Sequence, residues 1–173
     1  MIAAGSIERP LVFADNDRPG VMLANAVMCY INRYGVLPGR DIVVFTNNDS
    51  AYQVALDAAD SGAMVTLVDT RHDVSSSLQQ LLDDKSIKYF FGHAISSVQG
   101  AKGISSVRIM ELSADSESLQ GQAWEIDCDI VANSGGWTPT VHLFSQSGGK
   151  LQYVERIAGF IACLLYTSDA ADE

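Results

Sequence analysis

Residues 43–52 read VVFTNNDSAY, and the organisation of the whole chain turns on them. Ile42, Val43, Val44 and Phe45 form the continuous apolar run that a parallel strand buried on both faces requires. Ser50 to Ser61 has helical spacing, with Val54, Leu56, Ala58 and Ala59 apolar and Gly62 ending it. Met64 to Val68 is a second strand, closing on Asp69. This is a β-α-β unit of the dinucleotide-binding type, and its turn should carry G-x-G-x-x-G. The template instead falls on Thr46, Asn48 and Ala51. Ala51 can still let helix and strand pack closely. Thr46 and Asn48 each place a β-carbon where phosphate would lie. Asn tolerates a left-handed backbone, so the turn itself can survive. Asp49 caps the helix but opposes an incoming phosphate. The residues favour a retained scaffold over a working nucleotide site.

Outward from this unit, PLVFA (10–14) reads as a short strand and DNDRPG (15–20) as a turn. Val21, Ala24, Val27, Met28, Ile31 and Tyr34 recur at three- and four-residue spacing, which predicts an amphipathic helix with Gly35 as its C-cap. LPGRD (37–41) is a loop and a domain boundary. Downstream of Asp69, the serines 75–77 offer an N-cap for SLQQLLDDK, and IKYFFG is a further strand. From His93 to Asp127 the pattern becomes moderate alternation, which predicts a small antiparallel meander. DIVAN then returns to a buried strand and ends in SGGWTP (134–139). The chain opens with AAGSIERP, of the same form: small residues and glycine, then proline. The fold class is therefore α/β.

Composition excludes several functions. The formal charge of −10 repels nucleic acid and anionic membrane surfaces. No apolar run approaches the roughly 20 residues of a membrane span, and MIAAGSIERP is not a signal peptide. The expected location is cytoplasmic. Cys29, Cys128 and Cys163 never form C-x-x-C, which argues against a disulfide framework, a zinc site or a redox pair. His72, His93 and His142 lack metal-ligand spacing, and no Ser/His/Asp set is legible around Ser134. No catalytic or metal-ligating residue is assigned. Trp137 could stack on a ring, but packing of its loop against the sheet is the simpler role.

The order of these elements resembles the two-dinucleotide-domain fold of the pyridine nucleotide-disulfide oxidoreductases. ERPLVFADNDRPGVMLA, NRYGVLPGRDIVVFTNNDSAY and SGGWTPTVHLFSQSGGKL resemble the alpha-subunit family of heterotetrameric sarcosine oxidase, from about Gly5 to about Leu151. The resemblance implies oxidative demethylation of sarcosine to glycine, with tetrahydrofolate taking the one-carbon unit and oxygen becoming peroxide. It implies NAD in an outer domain, FMN at the interface with the beta subunit, FAD in the beta subunit, and gamma and delta partners. It places Gly5, Gly135, Gly136 and Trp137 at the edge of the NAD pocket, with Ala4 where the family has Thr. The family's NAD loop lies upstream of the matched region and its folate domain downstream. The chain is thus expected to be an inactive fragment on its own.

The expected division is an inserted dinucleotide-type domain at 38–128, flanked by parts of an incomplete outer domain at 1–37 and 129–160. Residues 161–173 form a non-native or frayed tail. One alternative is a subunit of another flavin-linked amine, proline or opine dehydrogenase, against which FSQSGGKL argues. Another is a non-catalytic scaffolding or interaction module.

Overall fold

The computed structural model describes residues 4–163, so part of the expected tail, 164–173, lies outside the described residues. In chain order the strands and helices are β1 (Ser6–Glu8), β2 (Val21–Leu23), α1 (Ala24–Tyr34), β3 (Asp41–Thr46), α2 (Ser50–Asp60) and β4 (Met64–Asp69). There follow α3 (Ser76–Asp84), β5 (Lys88–Phe91), β6 (His93–Gln99), β7 (Ser106–Leu112), β8 (Leu119–Asp127) and β9 (Ile130–Ser134). The last are β10 (Trp137–Pro139), α4 (His142–Gln146), β11 (Leu151–Val154) and β12 (Gly159–Ala162), with a 3-10 turn at Glu155–Ile157 between the last two strands.

Among the described residues two compact units are formed, one of Pro10–Gly135 and the other of residues 4–9 with 136–163. The larger unit is built on a five-stranded sheet in the order β2-β9-β3-β4-β5, with every neighbour parallel. Strand periodicity sorts its apolar residues to two sides. Ile42, Val44, Val65, Leu67, Ile130 and Ala132 pack against Ala24 and Val27 of α1 and against Tyr52, Val54, Ala55 and Ala58 of α2. Val43, Phe45, Val68 and Val131 pack against Ile95, Val98, Val107 and Ile109 of the three-stranded antiparallel sheet β6-β7-β8. The helices, the parallel sheet and the meander are therefore three layers, and both faces of the central strands are dry. That is why IVVF has no polar alternation.

The smaller unit holds two antiparallel ribbons, β1 with β10 and β11 with β12. Tyr153 and Phe160 face each other across the second ribbon, with ring centroids 5.2 Å apart.

Several expectations change. The unit containing the parallel sheet begins at Pro10 and ends at Gly135, not at 38 and 128. The reason is strand order: β9 inserts between β2 and β3, so segments remote in sequence complete one sheet. PLVFA is no strand. It makes one bridge, Ala14 to Ser97, while the Asn133 side chain supplies the bonds to Leu11. Val21–Leu23 pairs with β9 before α1 begins. Residues 159–162, partly in the expected tail, form β12. Gly35 does cap α1, at φ 63° with its amide on the Ile31 carbonyl.

Candidate functional site

In open parallel sheets ligands bind beyond the C-terminal strand ends, so the ends of β3, β4 and β9 come first. Thr46 ends β3, Asp69 ends β4 and Ser134 ends β9, and all three residues are fully buried. The turn after β3 is held by its own side chains. Thr46 Oγ1 accepts the Asn48 amide at 3.0 Å and donates to the Asn48 carbonyl at 3.0 Å. Asn48 Oδ1 accepts the Ser50 amide at 3.1 Å and the Ser50 hydroxyl at 2.5 Å. Asn48 Nδ2 reaches across to the Ser134 carbonyl and hydroxyl, both at 3.2 Å.

Asn48, not Asp49, therefore satisfies the first amide of α2; Asp49 makes no side-chain cap bond. Its carboxylate instead accepts from Arg71 Nη1 at 2.7 Å. Arg71 Nη2 and Nε donate to Asp69 at 2.8 Å and 3.1 Å, and the Arg71 amide donates to Asp69 Oδ1 at 2.9 Å. Tyr52 completes the carboxylate's shell with its hydroxyl at 2.8 Å. The bond to Asp69 pushes the Arg71 guanidinium further above its ordinary range. Burial, and then Asp69, raises the Tyr52 phenol. Arg71 also lies over the Tyr52 ring, 5.9 Å from its centroid. Arg71 was not singled out in the sequence. The available signal was a cation two residues beyond a strand-terminal acid.

This turn departs from that of a dinucleotide site. Its fingerprint needs bare backbone where Thr46 and Asn48 carry side chains, and a free acid where Asp69 is buried and paired. Ala51 is buried against the sheet, as its small size allows.

Of the residues assigned to a cofactor edge, Gly5, Gly136 and Trp137 lie in the smaller unit. Gly5 precedes β1, and its carbonyl accepts the Thr140 amide at 3.0 Å. Gly136 lies at the other end of the same ribbon, where its carbonyl accepts the Arg9 amide at 2.9 Å. Glu8 is opposite Trp137. Strand rise separates Gly5 from the Gly136 end by roughly 13 Å, so the two glycines mark a line and not a point. Gly5 has φ 69° with open space where a β-carbon would stand, and Gly136 has φ 95°. Bare backbone at both ends suits close approach by a flat or phosphate-bearing group. Gly5, Pro139, Thr140 and Phe144 line a hollow of about 330 Å³. Gly135 is buried at the end of the larger unit, beyond Ser134.

His72 Nε2 lies 3.3 Å from the Ser113 carbonyl, His93 Nδ1 lies 2.7 Å from the Phe91 carbonyl, and His142 opens α4. Among the described residues no group of three or more His, Cys, Asp or Glu could hold a metal ion. No described helix is long and apolar enough to cross a membrane.

The layered unit defines a class first. The chain has the fold of FAD- and NAD(P)-linked disulfide reductases. It superposes on thioredoxin reductase of T. acidophilum with a TM-score of 0.67 at 17% identity, covering 86% of this chain and 47% of that one. L-proline dehydrogenase of P. horikoshii gives 0.57 at 22% identity, covering 94% of this chain and 25% of that one. Sequence narrows the class. The chain is 40% identical over 163 residues to sarcosine oxidase subunit alpha of Corynebacterium sp. (strain P-1), and 35% identical over 164 residues to that of Rhizobium meliloti (strain 1021). These matches cover 93% and 94% of the chain but 16% and 15% of the relatives' lengths. By sequence the chain thus matches a segment of the sarcosine oxidase alpha subunit, and the resemblance drawn from its three phrases holds. No family model matches the chain.

Proposed function

We propose that this chain is a segment of the alpha subunit of a sarcosine oxidase-like flavoenzyme. The observation that carries this reading is 40% identity across 93% of the chain. In this reading the complete complex oxidises the CH–NH bond of sarcosine to give glycine, hands the one-carbon unit to tetrahydrofolate and reduces oxygen to peroxide. Beta, gamma and delta subunits complete it, and it works in the cytoplasm. FAD and FMN carry the electrons, with FMN between alpha and beta.

The segment's own part is structural and at the edge of a cofactor pocket. Gly5, Gly135, Gly136 and Trp137 would border NAD. The bare backbone at Gly5 and Gly136 supports this, and no residue of the segment is given a catalytic role. The larger unit keeps the nucleotide-binding architecture as scaffold. A wholly non-catalytic, scaffolding role for the segment is the second reading, favoured by the satisfied turn at Asn48.

The experiment is co-expression of the full-length protein with the products of neighbouring genes, followed by a sarcosine-dependent peroxide assay. The complex should turn over and the 173-residue chain alone should not. Peroxide from the isolated chain, or an assembled complex inert toward sarcosine, would overturn the proposal.

A further inference from the structure

Three strand ends contribute to the cluster over the parallel sheet: Thr46 ending β3 with Asn48 beyond it, Asp69 ending β4 with Arg71 beyond it, and Ser134 ending β9. A bound dinucleotide would ordinarily tie such ends together from outside the chain, through amides at the turn and an acid at the second strand. Here each of those contacts is made from within. The Ser50 amide is taken by Asn48 Oδ1 at 3.1 Å. The Asn48 amide is taken by Thr46 Oγ1 at 3.0 Å. The strand-end acid is taken by Arg71 and Tyr52 at 2.8 Å each. Arg71 then closes the circuit to Asp49 at 2.7 Å.

We propose that the side chains of Asn48 and Arg71 are a built-in replacement for the cofactor: they close the C-terminal end of these strands to dinucleotides and tie β3, β4 and β9 together without one. The inference rests on the scaffold reading of the larger unit and adds the residues that enforce it. Two features distinguish it from an ordinary tight turn. The Asn48 amide spans from the β3 turn to the end of β9, 86 residues away. Arg71 joins the same turn to β4 by holding Asp49 of the turn together with the Asp69 carboxylate, which has no solvent exposure. Removing either tie should therefore do two things at once, loosen the unit and uncover amides that favour an anion.

The test is thermal unfolding of the 173-residue chain and of an Asn48→Gly/Asp49→Asn variant, with and without inorganic pyrophosphate, against sodium chloride of equal ionic strength. The variant should melt several degrees lower than wild type. At pyrophosphate ten times its dissociation constant, the variant's Tm should rise by about 3 °C while wild type stays unmoved. A selective rise in wild type, or a folded variant with no response, overturns the proposal. Should the double variant lack a cooperative transition, Asn48→Gly alone decides. Its Tm should fall by several degrees, and a Tm equal to wild type means that Asn48 ties nothing. Failure of the sarcosine assay would leave these melting results untouched, so the two readings fall separately.

Discussion

At the C-terminal ends of β3, β4 and β9 the polar groups close on one another, whereas at the N-terminal ends of the same sheet the molecule stays open. There a cleft of about 570 Å³ runs between the starts of β3, β4 and β5 and the end of β8, with Ile42, Met64, Phe90 and Ile126 on its walls and Asp41 and Asp127 among its acids. Met64 is 70% exposed. The start of β3 is held by Asp129, whose carboxylate accepts the amides of Arg40 and Asp41 at 2.9 Å and 3.1 Å. At the end where its fold class binds ligands the sheet's polar side chains are thus bonded to one another, and at the other end a cleft remains. The layers depend on the packing of both faces of the strands, not on what the turns can bind.

The contrast can be broken by cutting the seal. Arg71→Ala leaves the Asp69 carboxylate buried with only Tyr52 and the residue 71 amide, and should cost about 2–3 kcal/mol, less than a fully buried pair because Arg71 is partly exposed. The denaturation midpoint measures it. At the open end, Gly39→Ala drives a β-carbon into the Asp129 carboxylate and Ile130, and should cost about 1–3 kcal/mol. A loss at Gly39 exceeding that at Arg71 would reverse the ranking of the two ends.

Cys128 sharpens the comparison through pH. Burial, then Asp129, Asp127 and Asp41, pushes its thiol up to about 12. An unfolded cysteine titrates near about 8.5, so the folded state holds this proton more tightly. The contribution to stability is fully present below about 8.5 and is lost as pH rises toward 12. A Cys128→Ala variant should show a shallower fall of Tm between pH 9 and 11 than wild type, and wild-type Cys128 should resist maleimide at pH 8 while half-buried Cys29 reacts. The smallest effect belongs to Lys85, paired with Asp60 at the surface. Lys85→Ala should change stability by no more than about 0.5 kcal/mol, and less in high salt.

Much of this was legible in the sequence because local patterns carried it. Apolar runs gave β3 and β4, and three- and four-residue spacing with Gly35 gave α1. Alternation gave the meander. Two things were not legible for the same reason: each depends on a partner far along the chain. β9 completes the sheet from 130–134, so the unit's boundaries could not be read at 38 and 128. Leu11 receives its bonds from the side chain of Asn133, so PLVFA has a strand's composition without a strand's ladder. The sequence shows side chains at Thr46 and Asn48 in place of the fingerprint glycines, but it points to Asp49 for the capping role. Asn48 takes it because its amide can serve the Ser50 amide and the end of β9 together, and Asp49 is drawn away by Arg71.

The most direct measurement is an amide-resolved NMR titration of the 173-residue chain with NAD. Resonances of residues 46–51 and of Asp69 and Arg71 should stay in place through millimolar NAD. Saturable shifts confined to those amides would contradict self-closed strand ends.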